Sequence, residues 1–219
     1  MKFEIRQTTL IQSMQAPVDA LLVLWPDPSH ESGLLANWID AARQAGDFKN
    51  TVGSVLQSYG MPGVRPRHLV VVSCGQGTPA EVRKAIRAAW PAFKSVPVKS
   101  LHVQWAGKEL TAQAIQALAC ELADASYAYA TTLSKPEPRK LRQVTLGLRR
   151  VSVAHATALA QAQALVQGIE LAKEWANRPA NHATPTHLAH AAKTLAKHPG
   201  VTCKVLGPRE IEHLGMGAF

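Results

Sequence analysis

Leu69-Val70-Val71-Val72-Ser73-Cys74, then Gly75-Gln76-Gly77, then Thr78-Pro79-Ala80-Glu81, is the stretch whose reading decides the fold. The first six residues are apolar on both faces and rich in β-branched side chains. Such a run makes a strand buried on both sides, central in a sheet with helices on each face. The two glycines turn the chain. Thr78 and Glu81 stand at capping-box spacing, with Pro79 at the first helical position. A helix is predicted from there to about Trp90, with Val82, Ile86 and Ala89 inward. A doubly covered strand that feeds a helix is the unit of an α/β domain.

The same alternation extends on either side. Ala20 to Trp25 is a short apolar strand closed by Pro26-Asp27-Pro28. A helix over about 31–45 follows, with Leu35, Trp38, Ile39 and Ala42 at helical spacing and Gly46 as its stop. Thr51 to Tyr59 and Lys99 to Trp105 read as further strands. Thr111 caps a helix that carries Ile115, Leu118 and Leu122. The polar segment from Thr131 to Lys140, with two prolines, reads as a loop. Val144, Leu146 and Leu148 alternate as a strand does. This places an α/β domain over residues 1–150. An alanine-rich helix over 151–176 reads as a connector. Residues 177–219 open a second unit: a turn at Asn177-Arg178-Pro179-Ala180-Asn181, a helix capped by Thr184 and ended by Pro199-Gly200, and a strand through Val201, Cys203 and Val205. A short helical turn around 210–213 precedes Gly215-Met216-Gly217.

Composition narrows the function classes. Among 219 residues, 47% are apolar and 5% aromatic, which fits a helix-rich chain with a buried core and excludes a disordered one. The formal net charge is +9, and residues 1–150 carry most of it, with 18 Lys/Arg against 11 Asp/Glu. Lys135, Arg139, Lys140, Arg142, Arg149 and Arg150 form the densest basic stretch. A solvated surface accounts for it; a nucleic-acid partner is the alternative. Cys74, Cys120 and Cys203 show neither zinc spacing nor a disulfide framework, and the expectation is three buried, reduced thiols in a cytoplasmic protein. The charged N-terminus does not read as a signal peptide, and no apolar run reaches the roughly 20 residues that span a membrane.

Three patterns in the sequence bear on chemistry. Gly75-Gln76-Gly77 sits between a strand and a helix, where backbone N–H groups bind anions, but it lacks the third glycine of a dinucleotide fingerprint; a structural turn is the reading, with a nucleotide-type ligand as alternative. His187 and His190 are three apart on one helix, with His182 upstream, a spacing that suits a shared metal but has no carboxylate or thiolate beside it. Cys74 has no local base and reads as core. The expectation is no catalytic residue, no metal ligand and no cofactor-binding residue in this chain.

The tail resembles a known family. Gly168 to Lys173, then Asn177, Pro179, Asn181 and Thr184-Pro185, and later Leu214-Gly215-Met216-Gly217-Ala218, resemble the leucyl (cytosol) aminopeptidases, in which an N-x-P-x-N-x-x-T-P element leads into the peptidase domain and a lGMGa element follows. Ala45 to Lys49, Leu69 to Gly75 and Tyr127 to Lys135 resemble that family more loosely; Asn50 and Cys74 depart from its pattern. The resemblance implies a macro-like N-terminal domain with a mixed sheet flanked by helices, a long linker helix, and the first helix and strand of an α/β peptidase domain. It implies a cytoplasmic homohexameric exopeptidase that uses two divalent ions, zinc or manganese, to release N-terminal residues from peptides. The family's ligands lie in GKG…DSGG and NTDAEGR elements that this sequence does not contain, so the chain is expected to be a catalytically inactive front portion. Asn177, Pro179, Asn181 and Thr184 carry over as architecture. Members of the aminopeptidase A type also bind DNA, which makes a DNA-binding module the alternative function.

Overall fold

A computed structural model describes residues 1–218. Its strands are β1 (Lys2–Gln7), β2 (Ala20–Trp25), β3 (Val55–Tyr59), β4 (His68–Ser73), β5 (Ser100–Trp105) and β6 (Gln143–Leu148). Its helices are α1 (Leu10–Met14), α2 (Leu34–Ala45), α3 (Pro79–Ala89), α4 (Pro91–Lys94), α5 (Ala112–Ala125), α6 (Val153–Asn177), α7 (Pro185–Leu195) and α8 (Pro208–His213). The strands form one mixed sheet in the order β1-β6-β5-β2-β4-β3. All neighbours are parallel except β3, which runs antiparallel to β4.

The alternation of side chains across each strand sorts the core into two layers. Leu22, Leu24, Val70, Val72, Val103 and Leu146 face one side, where α3, α5 and α6 cover them with Val82, Ile86, Ile115, Leu118 and Leu159. Leu21, Val23, Leu69 and Val71 face the other, under Leu10 and Met14 of α1 and Leu35 and Ile39 of α2. Every residue of β2 is buried because both its neighbours and both its faces are occupied. The run at residues 69–72 behaves as its composition dictates.

Local signals end the elements. Thr78 and Glu81 form the capping box, with Pro79 at the start of α3. Thr111 accepts from the Ala114 N–H and starts α5. Gly46, at φ 85°, closes α2 in the left-handed conformation, donating to Ala42 and Arg43. Asp19 ties the start of β2 to the start of β5: its carboxylate accepts from the N–H groups of Lys99 and Ser100 and from the Ser100 hydroxyl, at 2.8–2.9 Å.

The chain divides into two compact units, residues 1–128 with 137–170, and residues 129–136 with 171–218 of the described part. In the second unit, Thr184 caps α7 through the His187 N–H, and α7 and α8 bury no residue. The strand predicted through Val201, Cys203 and Val205 does not form; 201–207 carries no regular structure. An extended segment needs a neighbour for its backbone N–H and C=O groups, and no described strand pairs with it. The expectation of three buried thiols also fails: Cys74 is buried, Cys120 half-buried and Cys203 exposed, the last because it sits in that unpaired segment.

Candidate functional site

The β4–α3 turn is closed by its own side chains. Gly75 and Gly77 hold φ of 54° and 75°, a region that favours glycine, and a Cβ on Gly77 would run into the Trp105 ring. The Thr78 N–H and hydroxyl donate to one Glu81 carboxylate oxygen at 2.9 and 2.7 Å. Burial works against the Glu81 charge, but these bonds and one from the Gln76 N–H outweigh it and hold the carboxyl below its usual range. The position where an anionic ligand would sit is thus filled by an internal carboxylate. Burial, with the nearby Glu81 charge, pushes the Cys74 thiol up to about 12. A thiol so poor in thiolate does not serve as a nucleophile.

The histidines stay apart from metal chemistry. His182, His187 and His190 are exposed. The His187 Nδ1 lies 3.0 Å from the Thr184 hydroxyl, within the helix cap. Among the described residues, no group of three or more His, Cys, Asp or Glu is placed to hold a metal ion. The donors present therefore do not fit the two divalent ions that the tail resemblance implies.

The basic stretch is partly engaged by the fold. Arg139 donates to the Ser126 and Ala123 carbonyls and to Glu170, and Arg149 donates to Glu31. Lys140, Arg142 and Arg150 are exposed. In the tail, Asn177 Nδ2 donates to the Lys173 carbonyl at 2.8 Å, at the end of α6. The Pro179 carbonyl accepts from the N–H groups of His182 and Ala183. Asn181 is exposed.

Sequence reading missed a polar face. On the side of the sheet shared with α1 and α2, the strands β1, β6 and β5 present Glu4, Arg6, Thr145, His102 and Gln104 instead of apolar side chains. Thr8, Gln12 and Gln15 complete a cleft of about 380 Å³ with Glu4, Arg6 and Thr145. Gln104 Nε2 donates to the Thr8 and Trp105 carbonyls, so its Oε1 accepts from the Thr8 hydroxyl at 2.9 Å and from His102 Nε2 at 3.3 Å. That arrangement gives His102 its proton on Nε2. Burial lowers the His102 pKa, with the Arg6 charge adding to the effect, against the Gln104 bond and the Glu4 charge, so the site favours the neutral ring. Glu4 accepts from the Thr145 hydroxyl at 2.6 Å, which, with Arg6 at 3.0 Å, holds its carboxyl below the usual range despite partial burial. A Cβ on Gly147 would strike Gln104, His102 and Thr8, so the layer is closely packed over that residue. The cleft offers hydrogen bonds and one ion pair, but no activated nucleophile beside a base. Its signal in the sequence is the i, i+2 pair His102 and Gln104 within an otherwise apolar strand.

Comparison with known proteins gives one consistent result. The model of the cytosol aminopeptidase family N-terminal domain matches residues 29–136, and that of the family's catalytic domain matches residues 170–219. A probable cytosol aminopeptidase of Acidovorax sp. (strain JS42) is 44% identical over all of this chain, which covers 44% of that relative. A probable cytosol aminopeptidase of Polaromonas sp. (strain JS666) is 39% identical over all of this chain, again covering 44% of the relative. The chain thus spans less than half the length of these curated relatives. Among solved structures, a mutant of tomato leucine aminopeptidase superposes with a TM-score of 0.77 at 19% identity, over 98% of this chain and 46% of that one. The bottromycin maturation enzyme BotP in complex with Mn superposes with a TM-score of 0.67 at 22% identity, over 91% of this chain and 40% of that one. At such identities the superpositions speak for the fold.

Proposed function

This chain belongs to the cytosol aminopeptidase family, and from that premise we propose that its residues are the accessory domain and the opening of the catalytic domain of a metal-dependent exopeptidase. The whole enzyme releases N-terminal residues, leucine-like ones preferred, from peptides in the cytoplasm, with two divalent ions, manganese or zinc, and as a homohexamer. Residues 1–150 are the accessory domain, 151–176 the linker helix and 177–219 the start of the catalytic domain. The ions would activate a water and polarise the scissile carbonyl in the whole enzyme. No step of that chemistry falls to the 219 residues, which supply scaffold.

The observation that carries this reading is the pairing of two matches in order along one chain, the N-terminal domain at 29–136 and the catalytic domain at 170–219. The burial pattern agrees with elements that open a second unit: α7 and α8 bury nothing, while Leu188, Leu195 and Leu214 are exposed. Arg139 and Arg149 of the basic stretch are held in ion pairs with Glu170 and Glu31, which weighs against the DNA-binding alternative.

The test is hydrolysis of leucine amide with added manganese or zinc, by the chain alone and by a chimera in which it replaces the matching 44% of the Acidovorax sp. relative. The chain alone is expected to be inactive and the chimera active. Turnover by the chain alone would overturn its role as scaffold. A well-folded but inactive chimera would overturn its place in the enzyme.

A further inference from the structure

The cleft over β1, β6 and β5 is lined by buried polar groups. Over β2 and β4 the same face of the sheet is apolar, with Leu21, Val23, Leu69 and Val71 under α1 and α2. Over β5 and β6 it carries His102, Gln104 and Thr145, each at most 5% exposed. Burying such side chains costs stability that an apolar layer would not. His102 and Thr145 line the cleft itself.

The internal hydrogen bonds decide which atoms are left for a ligand. Gln104 Nε2 is committed to the Thr8 and Trp105 carbonyls, so Gln104 Oε1 accepts from His102 Nε2, which leaves His102 Nδ1 as an acceptor. Thr145 gives its hydroxyl proton to Glu4 and keeps its lone pairs. Glu4 Oε1 takes three donors: Thr145 at 2.6 Å, Arg6 at 3.0 Å and Gln143 at 3.2 Å. Among the described residues, none donates to Glu4 Oε2. The capacity left around Glu4 is therefore that of an acceptor with negative charge. Donors stand next to it. Arg6, 62% exposed, has N–H groups beyond the one that meets Glu4, and Gln12, whose Oε1 accepts from the Thr9 N–H, keeps its Nε2.

We propose that this cleft binds a free apolar α-amino acid as its zwitterion, with the ammonium on Glu4 and the carboxylate on Arg6. Three features select that class. An ammonium has three N–H donors and no acceptor, which suits Glu4 Oε2, Thr145 and His102 Nδ1. The Glu4 and Arg6 charges are adjacent and cancel, so a net cation or a net anion satisfies only one of them. A zwitterion whose charges are one carbon apart satisfies both. Ala16, Pro17 and Val18 of the α1–β2 connection line the same cleft, where an aliphatic side chain leaves water. At about 380 Å³ the cleft is at the small end of ligand pockets. The Arg6–Glu4 contact is exposed at its Arg6 end, and such pairs contribute little, so Arg6 turns to a carboxylate at low cost. The inference stands on the cleft and not on the peptidase reading; failure of either leaves the other in place.

Titration of the full chain with leucine, followed by two-dimensional amide NMR and by calorimetry, tests it. Saturable one-to-one binding is expected, with a Kd at or below about 1 mM and shifts at β1, α1 and the α1–β2 connection. N-Acetyl-leucine lacks the ammonium and leucine amide lacks the carboxylate; each should bind about tenfold more weakly or worse. Glycine, without the side chain, should also bind more weakly. Glu4→Gln should weaken leucine binding by about tenfold. Arg6→Gln should do the same and remove the preference for leucine over leucine amide. Circular dichroism checks the folding of both variants, and the two analogues test the wild type without any substitution. Absence of saturable shifts up to about 10 mM leucine overturns the proposal. So does equal binding of leucine and its two analogues, or full affinity in folded Glu4→Gln and Arg6→Gln proteins.

Discussion

Replacing Asp19 with alanine removes the clamp between β2 and β5. Three donors are left: the N–H groups of Lys99 and Ser100 and the Ser100 hydroxyl, all within 2.9 Å of one carboxylate oxygen. A hydrogen bond to a charged acceptor contributes about 1.5–3 kcal/mol net. The Lys99 N–H lies at an exposed end and regains water, so the two Ser100 bonds dominate, at the low end of that range. The expected loss is about 2–4 kcal/mol, or about 4–16 °C in Tm for a chain of this length. Urea unfolding followed by circular dichroism reads it. The pH dependence sharpens the test. Burial raises the Asp19 pKa, but the Ser100 and Lys99 bonds lower it further, so the folded value lies below the ordinary one. The contribution is therefore present in full above the unfolded value of about 3.9 and is lost as pH falls through the folded value. The gap between wild type and Asp19→Ala should narrow below about pH 4. A loss under about 0.5 kcal/mol at neutral pH, or a gap that does not change in acid, would refute the clamp.

Gly147→Ala should destabilise by about 1–3 kcal/mol, because its Cβ meets the Gln104, His102 and Thr8 side chains packed over β6; urea midpoints check this, and a neutral result would show that the polar layer yields freely. His102 is held neutral by burial, so the unfolded chain binds its proton first as pH falls. Unfolding free energy should therefore decline from about pH 6.5 downward, and His102→Gln should flatten that part of the profile. Glu81→Ala removes the carboxylate that accepts from Thr78 and should cost about 1–2 kcal/mol, visible as a lower Tm. With a thiol reagent at neutral pH, Cys203 should react first and Cys120 more slowly, while Cys74 should wait for unfolding, in line with their exposures and with the raised thiol pKa of Cys74. Fast labelling of Cys74 in the native chain would contradict its burial.

The central layers were legible because their signals are local and strong. The apolar run at β4, the capping box at Thr78 and Glu81, and the caps at Thr111 and Thr184 each act within a few residues, and each appears where the pattern puts it. The edge was not legible. β1 interleaves Phe3 and Ile5 with Lys2, Glu4 and Arg6, a half-exposed strand whose six residues are outweighed by charge. α1 has five residues, too few for a periodic stripe, and in the structure a Thr9–Gln12 capping box starts it. The segment at 201–205 failed for the opposite reason: alternation supplies one suitable face, but a strand forms only against a partner. The polar face of β1, β6 and β5 depends on which strands become neighbours, and Glu4 and Thr145 are 141 positions apart in the chain. Only the His102 and Gln104 pair betrays it locally.

The most direct test of the account is whether these residues hold the metal of the family's chemistry. Manganese titrated into the purified chain should keep the six-line paramagnetic resonance signal of the free ion at full intensity, since the described residues gather no metal-holding group. Stoichiometric loss of that signal, reversed by chelator, would show that a metal centre lies within the chain and would contradict its reading as scaffold.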